Sequence, residues 1–328
     1  MKSTTSSLRR LLRSASVAVG FASVAAIALG GPRPEMHIGP AEHVPAAATA
    51  MMLSAAVAGT RIVAVGDHGA VLLSDDSGKH FRQARSVPAS SALTGVSFVD
   101  STHGWAVGHW GVVLYTQDGG DTWALQRSDL ENDQPLFSVY FKNRSEGWAV
   151  GLWSLMLHTL DGGVSWSVVQ LPPPPGARKA DRNLYRIFAN SAGELFIACE
   201  QGRVMRSTDN GVTWSYLDTG YAGSFWTGVV LRDGELLVGG LRGTIYRSRD
   251  AGNTWTAAHS DFNSSITDMV QLPDSSVVAV ALDGVLLVSR DHGSTFQGAQ
   301  RPDRTPLTAV VASSAGGAVI FSSNGPIS

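Results

Sequence analysis

An all-β fold, a β-propeller of four-stranded antiparallel blades, is what the sequence predicts, on three observations. A short phrase recurs six times: a hydroxyl residue, any residue, Asp, any residue, Gly, two more, then a large aromatic. It reads Ser74-Asp76-Gly78-Phe81, Thr116-Asp118-Gly120-Trp123, Thr159-Asp161-Gly163-Trp166, Ser207-Asp209-Gly211-Trp214, Ser248-Asp250-Gly252-Trp255 and Ser289-Asp291-Gly293-Phe296. Successive copies start 41 to 48 residues apart, a period that marks a repeat architecture. Between copies run four short stretches rich in β-branched and aromatic residues, parted by Gly, Asp and Asn. No stretch inside the repeats sustains a 3.6-residue apolar period over three turns, which leaves strands rather than helices.

The second repeat gives the elements in order. Leu93-Thr94-Gly95-Val96-Ser97-Phe98 alternates and reads as the first strand. Gly104-Trp105-Ala106-Val107-Gly108 is the second, Gly111–Thr116 the third and Thr122-Trp123-Ala124-Leu125 the fourth. The recurring phrase then falls in the turn between third and fourth strands. Asp suits it because its carboxylate accepts backbone N–H bonds from the turn. Gly suits it because positive φ costs it nothing. The aromatic, Trp123, Trp166, Trp214 or Trp255 in four copies, opens the fourth strand and can lie over the turn. A metal or catalytic role for Asp76, Asp118, Asp161, Asp209, Asp250 and Asp291 is disfavoured, since six copies on separate sheets cannot converge on one site. One such sheet cannot bury both of its faces. Radial packing of several solves this and leaves only short edges.

Six phrases give six blades. Leu307-Thr308-Ala309-Val310-Val311 and Ala318-Val319-Ile320-Phe321 read as two strands of another, and Glu35-Met36-His37-Ile38 could supply a missing outer strand. The expectation is seven blades with the last shared between the two ends of the chain. Six blades with a trailing hairpin is the alternative. Residues 1–30 read as a signal peptide: Lys2, Arg9, Arg10 and Arg13, no acid, an apolar run over 15–29, then small residues. Residues 31–48 are expected to close the ring, and residues 49–328 to form the propeller.

Charge is sparse, 25 basic and 27 acidic residues in 328. Without the four cations of residues 1–30 the remainder is near −6, which argues against a nucleic-acid partner. The only cysteine, Cys199, stands where other repeats have Gly66, Gly108 or Gly151, so no internal disulfide is possible. The nine histidines show no metal-ligand spacing, and no glycine loop of phosphate-binding type is present. No cofactor, metal or catalytic residue is expected.

The recurring phrases resemble the Asp-box (BNR) repeats of sialidases and related propellers. A longer phrase is more specific. Gly104-Trp105-Ala106-Val107-Gly108, with Gly111 and then Leu114 through Trp123, returns as Gly147-Trp148-Ala149-Val150-Gly151 and Leu157 through Trp166. It resembles the photosystem II stability/assembly factor family, seven-bladed propellers with bacterial relatives, over roughly residues 50–325. The resemblance implies a non-enzymatic, exported, periplasmic propeller that is expected to be a monomer. It also implies that the propeller assists a membrane protein or membrane protein complex, an RND-type exporter system among the clients of non-phototrophic relatives. A sialidase-like hydrolase is the competing reading, and a carbohydrate-binding or sensory propeller a third. Tyr185-Arg186-Ile187-Phe188 approaches the sialidase phrase but lacks its Pro and lies between the third and fourth Asp phrases, so a first strand is the better reading.

In a propeller the second-to-third and fourth-to-first connections share one face, opposite the acidic turns. Alignment puts Asp67-His68, His109-Trp110, Leu152-Trp153, Glu200-Gln201, Leu241-Arg242 and Leu282-Asp283 in equivalent loops there. Their chemistry varies while their flanks repeat, and Trp110 and Trp153 are not demanded by the fold. The longest connection adds Pro172–Pro175, a stiff segment, then Arg178, Lys179 and Arg182. Tyr221 and Trp226 add aromatics. His68, His109, Trp110, Trp153, Arg178, Lys179, Arg182, Tyr221, Trp226 and Arg242 are therefore the candidate partner-binding face.

Overall fold

The computed structural model describes residues 38–327. They form seven antiparallel sheets in chain order around an axis, a seven-bladed β-propeller. The expected signal segment and Glu35-Met36-His37 lie outside the described residues. Blade 2 shows the unit: Leu93–Phe98, Gly104–Gly108, Val113–Thr116 and Ala124–Arg127, paired in sequence. The outermost strand shrinks to two residues in three blades: Arg82–Gln83, Ser167–Val168 and Thr256–Ala257. In blade 6 the outer strand Thr295–Gln300 also pairs in parallel with His259–Ser260, which covers an otherwise bare edge.

The second strand of every blade is sandwiched between neighbours, so it is apolar on both faces. In Gly104–Gly108 and Gly147–Gly151 all five residues are buried. Trp105, Trp148, Phe196 and Leu237 occupy one register position, and each packs against the next blade round the ring. The apolar side chains fall into seven clusters, one per pair of adjacent blades, including the pair formed by the last and the first.

Among the described residues, the ring is closed by contacts of the C-terminal blade with blade 1 and with the segment before it. Among the described residues blade 7 is Leu307–Ala312, Ala318–Ser322 and Gly325–Ile327, three strands from the C-terminal part of the chain. Ile38 belongs to no strand. Instead Pro45–Thr49 makes a 3-10 turn that packs against Gly325–Ile327. Proline lacks the N–H that a ladder needs, and Pro40 and Pro45 bracket this segment. Upstream, the segment is strapped to blade 1 and the connection after it. Ala41 N–H donates to Val87 O at 2.9 Å, Ser90 N–H to Gly39 O at 2.7 Å, and Gln83 Nε2 to Glu42 O at 2.7 Å. Side chains join blades 7 and 1: Phe321 and Val319 pack with Ile62 and Leu72, Phe81 meets Phe321 edge-on at 5.6 Å, and Thr308 Oγ1 donates to Met52 O.

Gly325 is where the turn seats. Its φ is +90°, and a Cβ there would stand 2.3 Å from the Ala48 carbonyl oxygen. Gly325→Ala is expected to push the turn off the blade and cost about 2 kcal/mol, from strained φ and lost contacts. Urea unfolding of the variant checks this, and an unchanged midpoint would show that the turn contributes nothing to closure.

Candidate functional site

The acidic turns are built alike in the six blades that carry them. In blade 3, Thr159 Oγ1 donates to Asp161 Oδ1 at 2.8 Å and accepts from Gly163 N–H at 2.9 Å. Asp161 Oδ1 accepts from Ser165 N–H at 2.9 Å, and Oδ2 accepts from Ser165 Oγ at 2.6 Å. Thr122, Thr213, Thr254 and Thr295 repeat the Ser165 role, and His80 fills it in blade 1 with its backbone N–H and Nδ1. This sixth position after the first hydroxyl is a recurring residue that the reading of the sequence passed over. Trp123, Trp214 and Trp255 lie over their turns, each indole N–H donating to the turn glycine's carbonyl. Trp166 makes no such bond among the described residues.

These hydrogen bonds favour the ionised carboxylates. The Ser165 hydroxyl, then its N–H and Thr159, hold Asp161 at about 2 against the usual 3.8; Thr213 does the same for Asp209. The unfolded chain therefore binds protons near pH 4 that the folded turns take up only near pH 2. The stability contributed is full above pH 4 and is lost as pH falls through about 2. Thermal melts from pH 5 to pH 2 should show the melting temperature falling across that window; a flat profile would contradict it.

The opposite face is formed by the second-to-third turns and the connections between blades, and backbone hydrogen bonds tie the two sets together. Ser154 N–H donates to Arg182 O at 2.7 Å, Asp129 N–H to Trp110 O at 2.7 Å, and Leu241 N–H to Ser224 O at 3.0 Å. At the centre of each three-residue turn a non-glycine residue has left-handed backbone: His68, Trp110, Trp153, Arg242 and Asp283, with φ between 52 and 62°. Gln201 has φ 58° at the equivalent place. Such φ values are uncommon for bulky side chains. The residue that follows is glycine in five of the six turns, and Ser154 takes φ 59° after Trp153. At Gly243 a Cβ would stand 2.1 Å from the Phe262 carbonyl oxygen. The fold thus constrains one position and leaves the side chain before it to protrude.

Placement sorts the candidates. His68, His109, Arg178, Lys179 and Arg242 are exposed, and Trp153 is 60% exposed. Trp110 is half-buried and packs with Ile38 and Ala41 on the cluster between blades 1 and 2. Tyr221 is half-buried too. It donates to Leu241 O at 3.0 Å and lies 5.3 Å from the Phe225 ring, bracing the turn that carries Arg242. Arg182 pairs with Asp181 at 3.1 Å. Pro174 is buried and Leu171 packs on the cluster between blades 3 and 4, so the proline segment lies against the blades.

Trp226 belongs to a pattern that alternation conceals. Every first strand has a β-bulge after its first residue, and the bulged residues are Leu53, Thr94, Phe137, Tyr185, Trp226, Thr267 and Thr308. Bulges re-aim a side chain. The three threonines donate to the first strand of the next blade: Thr94 to Leu136 O at 2.5 Å, Thr267 to Leu307 O at 2.8 Å, and Thr308 to Met52 O. Blades 3, 4 and 5 carry aromatics instead. Phe137 and Tyr185 stack at 5.6 Å, and all three rings are half-buried. The same three blades carry the exposed Trp153 and, with Arg242, Arg178 and Lys179, positive charge that has no ion-pair partner among the described residues. Phe137 and Tyr185 were not foreseen, because a bulge shifts the alternation that sequence reading relies on.

Other clusters give less. Arg203, Arg206 and Arg247 pair with Asp218, Glu194 and Glu235 of their own blades, so these arginines are not gathered around one carboxylate site. Tyr185-Arg186-Ile187-Phe188 lies in the first strand of blade 4. Asp233, Glu235 and His292 are the one trio of potential metal ligands within mutual reach among the described residues. Glu235 is already held by Arg247 and Arg249, and His292 by Asp233. Burial pushes the Cys199 thiol far up, and Sγ donates to Ile197 O at 3.3 Å, so it is no nucleophile.

Comparison with known proteins agrees with this architecture. Residues 83–237 match the family model for photosynthesis system II assembly factor YCF48. A solved structure of YCF48 bound to D1 peptide superposes with a TM-score of 0.68 at 19% identity, covering 87% of this chain and 94% of that one. YCF48 from Cyanidioschyzon merolae gives 0.67 at 14%, covering 87% and 97%. The extracellular domain of the putative one component system BT4673 from B. thetaiotaomicron gives 0.66 at 11%, covering 85% of this chain and 38% of that one. No curated protein matches the sequence.

Proposed function

We propose that this photosystem II assembly factor-like β-propeller is a non-enzymatic protein-binding scaffold, and that it meets its partner through the face opposite the acidic turns, over blades 2 to 5. The observation that carries the reading is the sector on blades 3 to 5. Its turn-centre residues Trp153 and Arg242 are displayed on left-handed backbone, and its bulges present Phe137, Tyr185 and Trp226 where blades 2, 6 and 7 spend a threonine on a structural bond. Aromatic and arginine side chains of this kind dominate binding energy at protein interfaces. A propeller of the same fold is described as bound to a D1 peptide, which supports a peptide segment as the thing bound.

The client we propose is a membrane protein or membrane protein complex, an exporter system of RND type being one such client, met on the exported, periplasmic side. The basic start and apolar run of residues 1–30 support export. Capture from detergent-solubilised native membranes tests the face. A folded Trp153→Ala/Trp226→Ala/Arg242→Ala variant should recover at least tenfold less client than the parent protein, since single hot-spot truncations cost about 2 kcal/mol. Equal recovery by a triple variant with an unchanged melting curve would remove this face from the account.

A further inference from the structure

The first strands enclose an axial chamber of about 410 Å³. Its lining comes from the C-terminal halves of those strands in all seven blades, on the side toward the acidic turns. Val57, Val96, Phe98, Phe188 and Val270 typify the wall, and the one charged lining residue is Arg186. At the equivalent position the other blades have Ser54, Gly95, Ser138, Thr227, Asp268 and Ala309, all shorter.

Where those residues are polar, three of them serve the ring. Ser138 Oγ accepts from Ile187 N–H at 3.2 Å, Thr227 Oγ1 donates to Asp268 Oδ1 at 3.2 Å, and Asp268 Oδ2 accepts from Val310 N–H at 3.1 Å. Arg186 differs. Among the described residues its guanidinium has no hydrogen bond and no ion pair, although its neighbours in sequence Arg182, Arg203 and Arg206 all have carboxylate partners. Asp268, two blades on, spends its oxygens on Thr227, Met269 and Val310.

A cation among mostly apolar side chains, with its donor fork unused among the described residues, suits an anion that brings its own apolar body. A carboxylate matches the fork in bidentate fashion, and the aliphatic wall takes the rest of the molecule. We propose that the axial chamber binds an amphiphilic monocarboxylate, head group on Arg186 and hydrocarbon along the channel wall. This site is separate from the partner face and stands or falls without it.

Isothermal titration of the whole protein with octanoate, octanamide and acetate tests it. A second pair of probes is an apolar tripeptide with free or amidated C-terminus. Saturable one-to-one binding of octanoate is expected, at least tenfold weaker for octanamide and for acetate, and lost in Arg186→Met. Binding of the free-acid tripeptide but not octanoate or the amidated peptide would keep the site and assign its carboxylate to a chain terminus. Octanamide binding as well as octanoate, acetate binding as well as octanoate, or no saturable binding of either acid would overturn the proposal. If Arg186→Met does not fold, the acid–amide comparison on the parent protein decides alone.

Discussion

Trp105→Ala should destabilise the folded chain by about 3–5 kcal/mol, the range for removing a fully buried tryptophan. Trp105 is wholly buried in the second strand of blade 2 and stacks on Phe141 of blade 3, with ring centroids 3.5 Å apart and an interplanar angle of 6°. Its indole N–H donates to Gly162 O at 2.9 Å, within the acidic turn of blade 3. One side chain therefore fills the space between two blades and pins the next blade's turn. Truncation leaves a cavity between sheets that a closed ring cannot collapse to fill.

Trp105→Phe separates the two contributions, since it keeps most of the packing and loses the hydrogen bond. Gln126 Nε2 still reaches Gly162 O at 3.0 Å, so a loss near 1 kcal/mol beyond the packing is expected. Trp148 occupies the same register position in blade 3, but its buried indole N–H has no partner among the described residues. Trp148→Phe should therefore cost less than Trp105→Phe. Equilibrium unfolding in urea of the four proteins checks both statements. A larger loss at Trp148 would refute the role given to the Gly162 bond.

Asp268→Ala should cost about 3 kcal/mol or more. Asp268 is buried, on the first strand of blade 6, and accepts from Thr227 Oγ1 in blade 5, from its neighbour Met269 N–H, and from Val310 N–H in blade 7 at 3.1 Å. Hydrogen bonds to a charged group contribute about 1.5–3 kcal/mol each, and their loss here orphans a buried backbone N–H and a hydroxyl. The carboxylate clasps three consecutive blades. Ser138 offers an internal control, because its Oγ already accepts from Ile187 N–H across the interface between blades 3 and 4. Asp268→Ser should thus recover part of what alanine loses. Denaturant unfolding decides it: equal stability of the serine and alanine variants would mean that the Val310 bond carries no weight.

The repeat was legible because a propeller copies one local solution. The alternation of Leu93–Phe98, the all-apolar Gly104–Gly108 and the Asp–Gly turn each follow from burial and turn chemistry within some forty residues. The acidic turn follows from its residue types, with the tryptophan bonded over it in blades 2, 4 and 5, yet Thr122 and its counterparts were missed, since a surface threonine carries no signal of its own. The bulges were missed for a physical reason. One extra residue shifts the alternation, so Phe137, Tyr185 and Trp226 look like ordinary strand residues until the pairing is seen. The seat of Pro45–Thr49 on the last blade was not read, because it is a long-range contact with no periodicity. Nothing in Pro45–Thr49 says that it will seat on Gly325, nearly three hundred residues away. At the rim, sequence alignment found the protruding positions but could not say that Trp110 would lie down on a core cluster while Trp153 stands out.

The central claim is that the rim opposite the acidic turns, centred on blades 3 to 5, is the contact surface for a protein partner. Photo-crosslinking residues placed one at a time at Trp153, Trp226 and Arg242, and on the other face at Val164 and Val212, test it in native membranes. Val164 and Val212 are 79% and 76% exposed in the acidic turns of blades 3 and 4, so reach is not limiting there. The account predicts that one common partner is captured from the first three positions and not from the last two. Capture of that partner from Val164 and Val212 alone would contradict it.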